Sequence, residues 1–283
     1  MKKTVLAILA TGLSLAALAQ TDSTSPQRSD TISPQRSDTI RVGGMIIIKR
    51  PGKNNTEKRE VIISNKRRTN SNVATNWWIV DLGFANYSDK TNFSAARQSN
   101  FVSADIGNKD NLTLRNGKSV NVNIWVFQQR LNLVSHVVNL KYGLGLELNN
   151  YRFSDERVRF SKNPTLISLD QNLVNAAKNK LAADYATVPM MLNFNFTPGR
   201  RKGFGFSAGM SVGYLYSARQ KIKQDGDKTK LRDDFNLEKW KLSYIGELSL
   251  GPVRLYGSMA TKSMWERGLD QTPYNVGIRL SHF

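Results

Sequence analysis

The chain contains no cysteine. Disulfide staples, thiolate nucleophiles and cysteine metal sites are thereby excluded. Histidine is nearly as scarce, with only His136 and His282. Two residues so far apart make a poor metal pair and leave little for a histidine relay. Beyond residue 19 no segment reaches the roughly 20 apolar residues of a membrane-crossing helix; the longest apolar runs, such as residues 45–48, are short. Acidic residues are in deficit, 22 against 41 Lys and Arg, for a net charge of +19. No phosphate-binding glycine loop, nucleophile elbow or nucleic-acid motif gives that charge a catalytic or nucleic-acid reading.

Residues 1–19 have the build of a secretory signal. Lys2 and Lys3 precede an apolar run, and Ala17-Leu18-Ala19 is a small-residue site, so cleavage after Ala19 is expected. A retained anchor is the competing reading, but the run is too short to span. Residues 20–40 are low in complexity: SPQRSDTI fills 25–32 and again 33–40. Such a composition cannot bury enough apolar area to offset chain entropy, which predicts a disordered tether. Residues 41–75 carry nine Lys and Arg against Glu57 and Glu60. Two β-prone runs, 45–48 and 61–63, flank turn chemistry at 51–55. They predict a short basic β-hairpin on the periplasmic side, or else a linker with two apolar patches.

What the chain has in quantity is alternation. Residues 203–216, GFGFSAGMSVGYLY, place Phe204, Phe206, Met210, Val212, Tyr214 and Tyr216 on one face of an extended chain. Glycine and serine dominate the other face. The stretch exceeds the roughly 5–6 residues of an ordinary strand and covers the roughly 9–11 that a tilted strand needs to cross a bilayer. Seven further stretches obey the same rule: 77–87, 119–130, 138–151, 181–197, 238–250, 253–261 and 273–283. In 181–197 the apolar residues change parity near Val188-Pro189, which predicts a bulge. Long connections (88–118, 152–180, 217–237, 262–272) alternate with short ones (131–137, 198–202, 251–252). The pattern predicts an all-β fold: an eight-stranded antiparallel transmembrane β-barrel over residues 76–283, with short turns and both ends of the chain on the periplasmic side.

A soluble barrel or sandwich would put the same glycine-rich faces in water, where glycine weakens strands. Inside a narrow barrel small residues leave room for longer ones opposite. Trp77, Phe153, Phe196, Phe204, Tyr216, Trp240 and Tyr274, near strand ends, suit interfacial girdles. Inward parity gathers Asp81, Glu147 and Glu247 with Lys141, Lys239, Lys241, Arg254 and Arg279. These predict a hydrogen-bonded polar plug, with a catalytic or proton-relay cluster as the sharper alternative. No cofactor or metal is expected.

Three stretches carry a resemblance. Residues 185–194, YATVPMMLNF, residues 207–221, SAGMSVGYLYSARQK, and the last strand ending at Phe283 resemble the PorT-like outer-membrane β-barrel domain of Gram-negative bacteria. The likeness covers residues 76–283. It implies an outer-membrane location, with Phe283 as the terminal aromatic read by the barrel-insertion machinery; some relatives assist protein secretion. The function expected is a non-enzymatic structural or interaction role at the cell envelope. Its partners would be the lipid bilayer and anionic glycolipid, met by basic connections such as 152–180, with six Lys and Arg against three acids. One alternative is an accessory subunit of a secretion or assembly machine, docking through residues 41–68. The other is a membrane-embedded hydrolase, for which His136 and His282 map to the wrong side.

Overall fold

The computed structural model describes residues 38–42, 45–50, 58–62, 71–173, 176–198 and 203–280, with side chains from residue 71 onward. The expected signal sequence, most of the expected tether, His282 and Phe283 lie outside the described residues. The chain divides into two units, residues 1–68 and 69–283.

In the first unit β1 (Asp38–Val42), β2 (Met45–Arg50) and β3 (Lys58–Ile62) form an antiparallel sheet in that order. Ile40 stands opposite Ile47, and Ile46 opposite Ile62. The expected hairpin thus has a third strand, and the segment read as a tether enters β1 at Asp38. Thr39, Ile40 and Val42 are β-branched and favour the extended chain. A third strand also relieves the marginal stability of a lone hairpin.

The second unit runs as follows. β4 (Val73–Asp89) leads to a short helix, α1 (Phe93–Gln98), and then to β5 (Val120–Val134) and β6 (Val138–Arg152). β7 (Val158–Phe160) and β8 (Ile167–Leu169) make a small ribbon. After them come β9 (Lys178–Asn195), β10 (Phe204–Gln224), β11 (Asp227–Arg232), β12 (Trp240–Leu250), β13 (Val253–Ala260) and β14 (Gln271–Leu280). The ring order is β4, β5, β6, β9, β10, β12, β13, β14, and β14 closes on β4 with Gly277 opposite Gly83. All eight expected strands are present, every neighbouring pair is antiparallel, and closure leaves the ring without an edge.

The faces sort as a lipid-embedded barrel requires. Phe84, Leu144, Met190, Met210, Val212 and Val276 point outward and are exposed, while Asp81, Asn121, Glu147 and Ser211 point inward and are buried. Trp77, Trp78, Phe196 and Phe204 are exposed toward the short-turn end; Tyr214, Tyr216, Trp240 and Tyr274 are exposed toward the other.

The bulge expected at Val188-Pro189 is absent. Tyr142 pairs with Met190 and Gly145 with Thr187, so the register passes Pro189 unchanged. The apolar residues change face there because the contents of the barrel change: Leu181, Ala183 and Tyr185 point into an apolar interior, and Asn193 into a polar one. Register shifts lie instead between Leu215 and Ser217 of β10 and, on β5, between Trp125 and Phe127 and between Asn132 and Val134. Past its shift β10 continues to Gln224 and turns through Asp225-Gly226 into β11, so much of the expected long connection 217–237 is a hairpin.

The long connections fold over the mouth of the ring. Phe101, Phe153, Phe160, Phe235 and Trp265 come from all four of them and form one buried cluster with the inward residues Tyr151, Leu181 and Leu215. Phe160 is its centre, with ring centroids 5.8 Å from Phe153, 5.3 Å from Phe235 and 6.0 Å from Trp265. Phe153 therefore belongs to this apolar cap and not to a girdle; it is buried because the chain leaving β6 turns inward.

Candidate functional site

Below the cap the lumen is filled by polar side chains delivered by strand parity. Three carboxylates (Asp81, Glu147, Glu247) and three cations (Lys141, Lys241, Arg279) are each no more than 9% exposed. Arg279 of β14 makes a two-pronged contact with Asp81 of β4, Nε to Oδ1 at 2.7 Å and Nη2 to Oδ2 at 2.8 Å. Its remaining nitrogen donates to Glu247 and, at 3.1 Å, to Gln128. Lys141 donates to Glu247 from across the barrel, and Lys241 to Glu147. Trp125 Nε1 donates to Asp81 at 2.7 Å, and Asn275 Nδ2 to Glu147 at 3.0 Å. Charges removed from water are tolerated only when paired and hydrogen-bonded, and this set is balanced three against three.

The glycines make the reach of these groups possible. Tyr256, Gly277, Gly83 and Asn121 are consecutive cross-strand neighbours on β13, β14, β4 and β5. The Tyr256 hydroxyl donates to Asn121 at 2.5 Å across both glycines. A Cβ on Gly83 would lie 2.4 Å from that hydroxyl. Trp125 covers Gly145 in the same way.

The residues expected in the plug differ in how deep they lie. Asp81, Lys141, Glu247 and Arg279 join directly, and the Lys241–Glu147 pair connects to them through Asn149, Asn121 and Asn123. Arg254 is half-buried near the short-turn end of β13, and Lys239 is exposed, because β12 begins only at Trp240. Sequence reasoning missed the amides that join the charges, Asn121, Gln128, Asn149 and Asn275. Parity signals Asn121, Asn149 and Asn275, which fall on the inward face of alternating stretches; Gln128 shares parity with the outward Val122 and Ile124 and reaches the lumen only through the register shift between Trp125 and Phe127. His136 occupies the tight turn between β5 and β6, at a left-handed φ of 57°. Among the described residues no three His, Asp or Glu stand together as a metal site.

A closed eight-stranded ring, apolar without and polar within, is the geometry against which family likeness can be judged. Residues 65–257, more than half of the chain, match the family of the outer membrane protein beta-barrel domain. The chain belongs to that family. No curated protein matches it.

For an outer-membrane barrel the interior decides between pore, enzyme and plug. A cavity of about 30 Å³ remains at mid-lumen, bordered by Thr187, Ser211, Glu247 and Arg279. Ligand pockets are roughly ten times larger or more; this one has room for a water or two. At the long-connection end the barrel is closed by the apolar cap, which Gln220 of β10 pins from within. Gln220 accepts from the Phe160 amide at 3.0 Å and donates to the Val158 carbonyl at 2.8 Å. β7 is thereby held as a plug strand inside the barrel mouth.

Proposed function

We propose that this outer-membrane barrel is neither an enzyme nor a conducting pore, and that it acts through its outer surfaces at the cell envelope. The observation that carries the reading is the interior: a charge-balanced polar network in series with an apolar cap, with no cavity of substrate size among the described residues. The short-turn end is assigned to the periplasm and the capped end to the exterior, as loop lengths in bacterial barrels run. The surfaces in question are those facing outer-leaflet glycolipid and, on the inner side, envelope proteins. The build of residues 1–19 supports export with cleavage after Ala19; the resemblance of residues 185–194, 207–221 and the last strand to PorT-like barrels supports a Gram-negative host and recognition of Phe283 by the insertion machinery.

Planar-bilayer recording of the refolded full-length protein tests the main reading. No steady conductance is expected; a sustained large conductance rules the reading out. A second reading, an accessory subunit of a secretion or assembly machine, draws support from the sheet of β1, β2 and β3, whose outer strands, among the described residues, pair on one side only. Native pull-downs with and without residues 41–68 test it, and unchanged partners remove it.

A further inference from the structure

Beyond the outer aromatics the barrel wall continues as a ribbon made from the end of β6, the start of β9, the end of β10 and β11. Its outward face follows from the register. Arg152 stands opposite Lys180, Lys180 opposite Lys221, and Lys221 opposite Lys230, a row of four cations across four strands. One step further out, Lys178 stands opposite Lys223, and Lys223 opposite Lys228. One step nearer the membrane, Arg219 stands opposite Arg232. None of these rows contains an acid; Asp184 stands one row nearer the membrane, opposite Ser217, and Arg219 pairs with it. Directly opposed side chains lie about 5 Å apart at Cβ, where like charges destabilise a sheet. Six such pairs in one ribbon are a poor solution for stability alone, and a good one for gathering anions.

The position of the ribbon selects the anion. Tyr214, Tyr216 and Trp240 are exposed just below it, at the level where an aromatic girdle meets headgroups. Arg219 is three residues past Tyr216 and Lys221 five, or about 10–17 Å along a strand. Resting on the proposed orientation, which makes this end external, we infer that the ribbon binds the phosphates of a phosphorylated glycolipid in the outer leaflet. The acyl chains lie against the apolar belt, and the headgroup phosphates bridge Arg219, Lys180 and Lys221. Lys223, Lys228 and Lys230 stand higher, within reach of further acidic groups on the sugar. The lipid supplies the counter-charge that the protein omits.

The test uses the full-length barrel in phosphatidylcholine nanodiscs doped with bisphosphorylated lipid A or with its dephosphorylated form. Lipid retained after delipidation is counted by native mass spectrometry. The parent should retain the bisphosphorylated form at least tenfold over the dephosphorylated one, and 0.5 M salt should erase most of that preference. A Lys180→Gln, Lys221→Gln, Lys230→Gln variant should lose the preference while resisting heat in neutral detergent at least as well as the parent, because repulsion has been removed. If that variant does not fold, Lys223→Gln with Lys228→Gln, both further from the ring, replaces it. Equal retention of the two lipids by the parent, or undiminished preference in the folded variant, overturns the inference. A barrel that inserts, stays non-conducting and shows no lipid preference removes the glycolipid site and leaves the closed-barrel reading standing; a conducting barrel does the reverse.

Discussion

Asp81 accepts hydrogen bonds from Arg279 through both oxygens and from the Trp125 indole, and Asn123 adds a fourth at 3.3 Å. It is fully buried. A carboxylate so placed depends on its partners, because the medium around it screens poorly and water does not reach it. Arg279 is the shared partner, joining Asp81 to Glu247. Arg279→Met removes one of three lumen cations and leaves two carboxylates facing each other across the gap. The expected cost is about 3–5 kcal/mol, the range for breaking a buried pair from one side. Urea titration of the folded band on unboiled gels should show it as an earlier midpoint. Adding Glu247→Gln should cost less than the two single changes together, because the second substitution removes a charge that the first had stranded. Strict additivity would show that the three groups do not act as a unit.

At the scale of elements, β10 is the strand where membrane and fold part company. It has 21 residues, about twice what a bilayer crossing needs. Its outward residues are apolar up to Tyr216, then Arg219, Lys221 and Lys223, while the inward face continues with Ala218, Gln220 and Ile222. Beyond Tyr216 the alternation resumes with reversed parity after the register shift, and its outward charges have the composition of a solvated connection, so the continuation of the strand is not legible from one unbroken period. The Asp225-Gly226 turn, a strong hairpin signal, lies just past it. Parity sufficed for the ring and for Asp81, Lys141, Glu147, Glu247 and Arg279, since it depends only on neighbours along one strand. The cap was not legible in that way. Phe101, Phe153, Phe160, Phe235 and Trp265 have no common period and meet only after four connections fold inward. The false bulge at Pro189 has the same origin, an apolar interior unseen from the strand itself. Gly226 sits at φ +93°, so Gly226→Val strains the hairpin turn by about 1–3 kcal/mol. Trypsin should then cut at Lys228 and Lys230 faster than in the parent, with the heat-modifiable shift of the barrel unchanged. Unaltered cleavage would mean that the turn does not hold β11.

For the molecule as a whole, two kinds of cohesion stand in series along the barrel axis. The ring is held by a hydrogen-bond ladder that closes on itself and by the surrounding lipid, and neither depends on the connections. The cap is held by burial of aromatic and aliphatic side chains, as in a soluble core, and by Gln220 and Asn179 bonding to the backbone of β7 at Val158. The two should therefore fail separately. Phe160→Ala removes the ring on which Phe153, Phe235 and Trp265 converge, and large-to-small changes of this kind cost about 3–5 kcal/mol. That loss falls on the cap alone. Limited proteolysis should nick residues 153–177 and 233–239 of the variant while the eight strands stay protected and the unboiled band keeps its folded mobility. Conductance should stay absent too, because the Asp81–Arg279–Glu247 network below still fills the lumen. If Phe160→Ala instead unfolded the whole barrel in one transition, cap and ring would be a single cooperative unit, and the cap would be part of what makes the barrel fold rather than a lid built on a finished one.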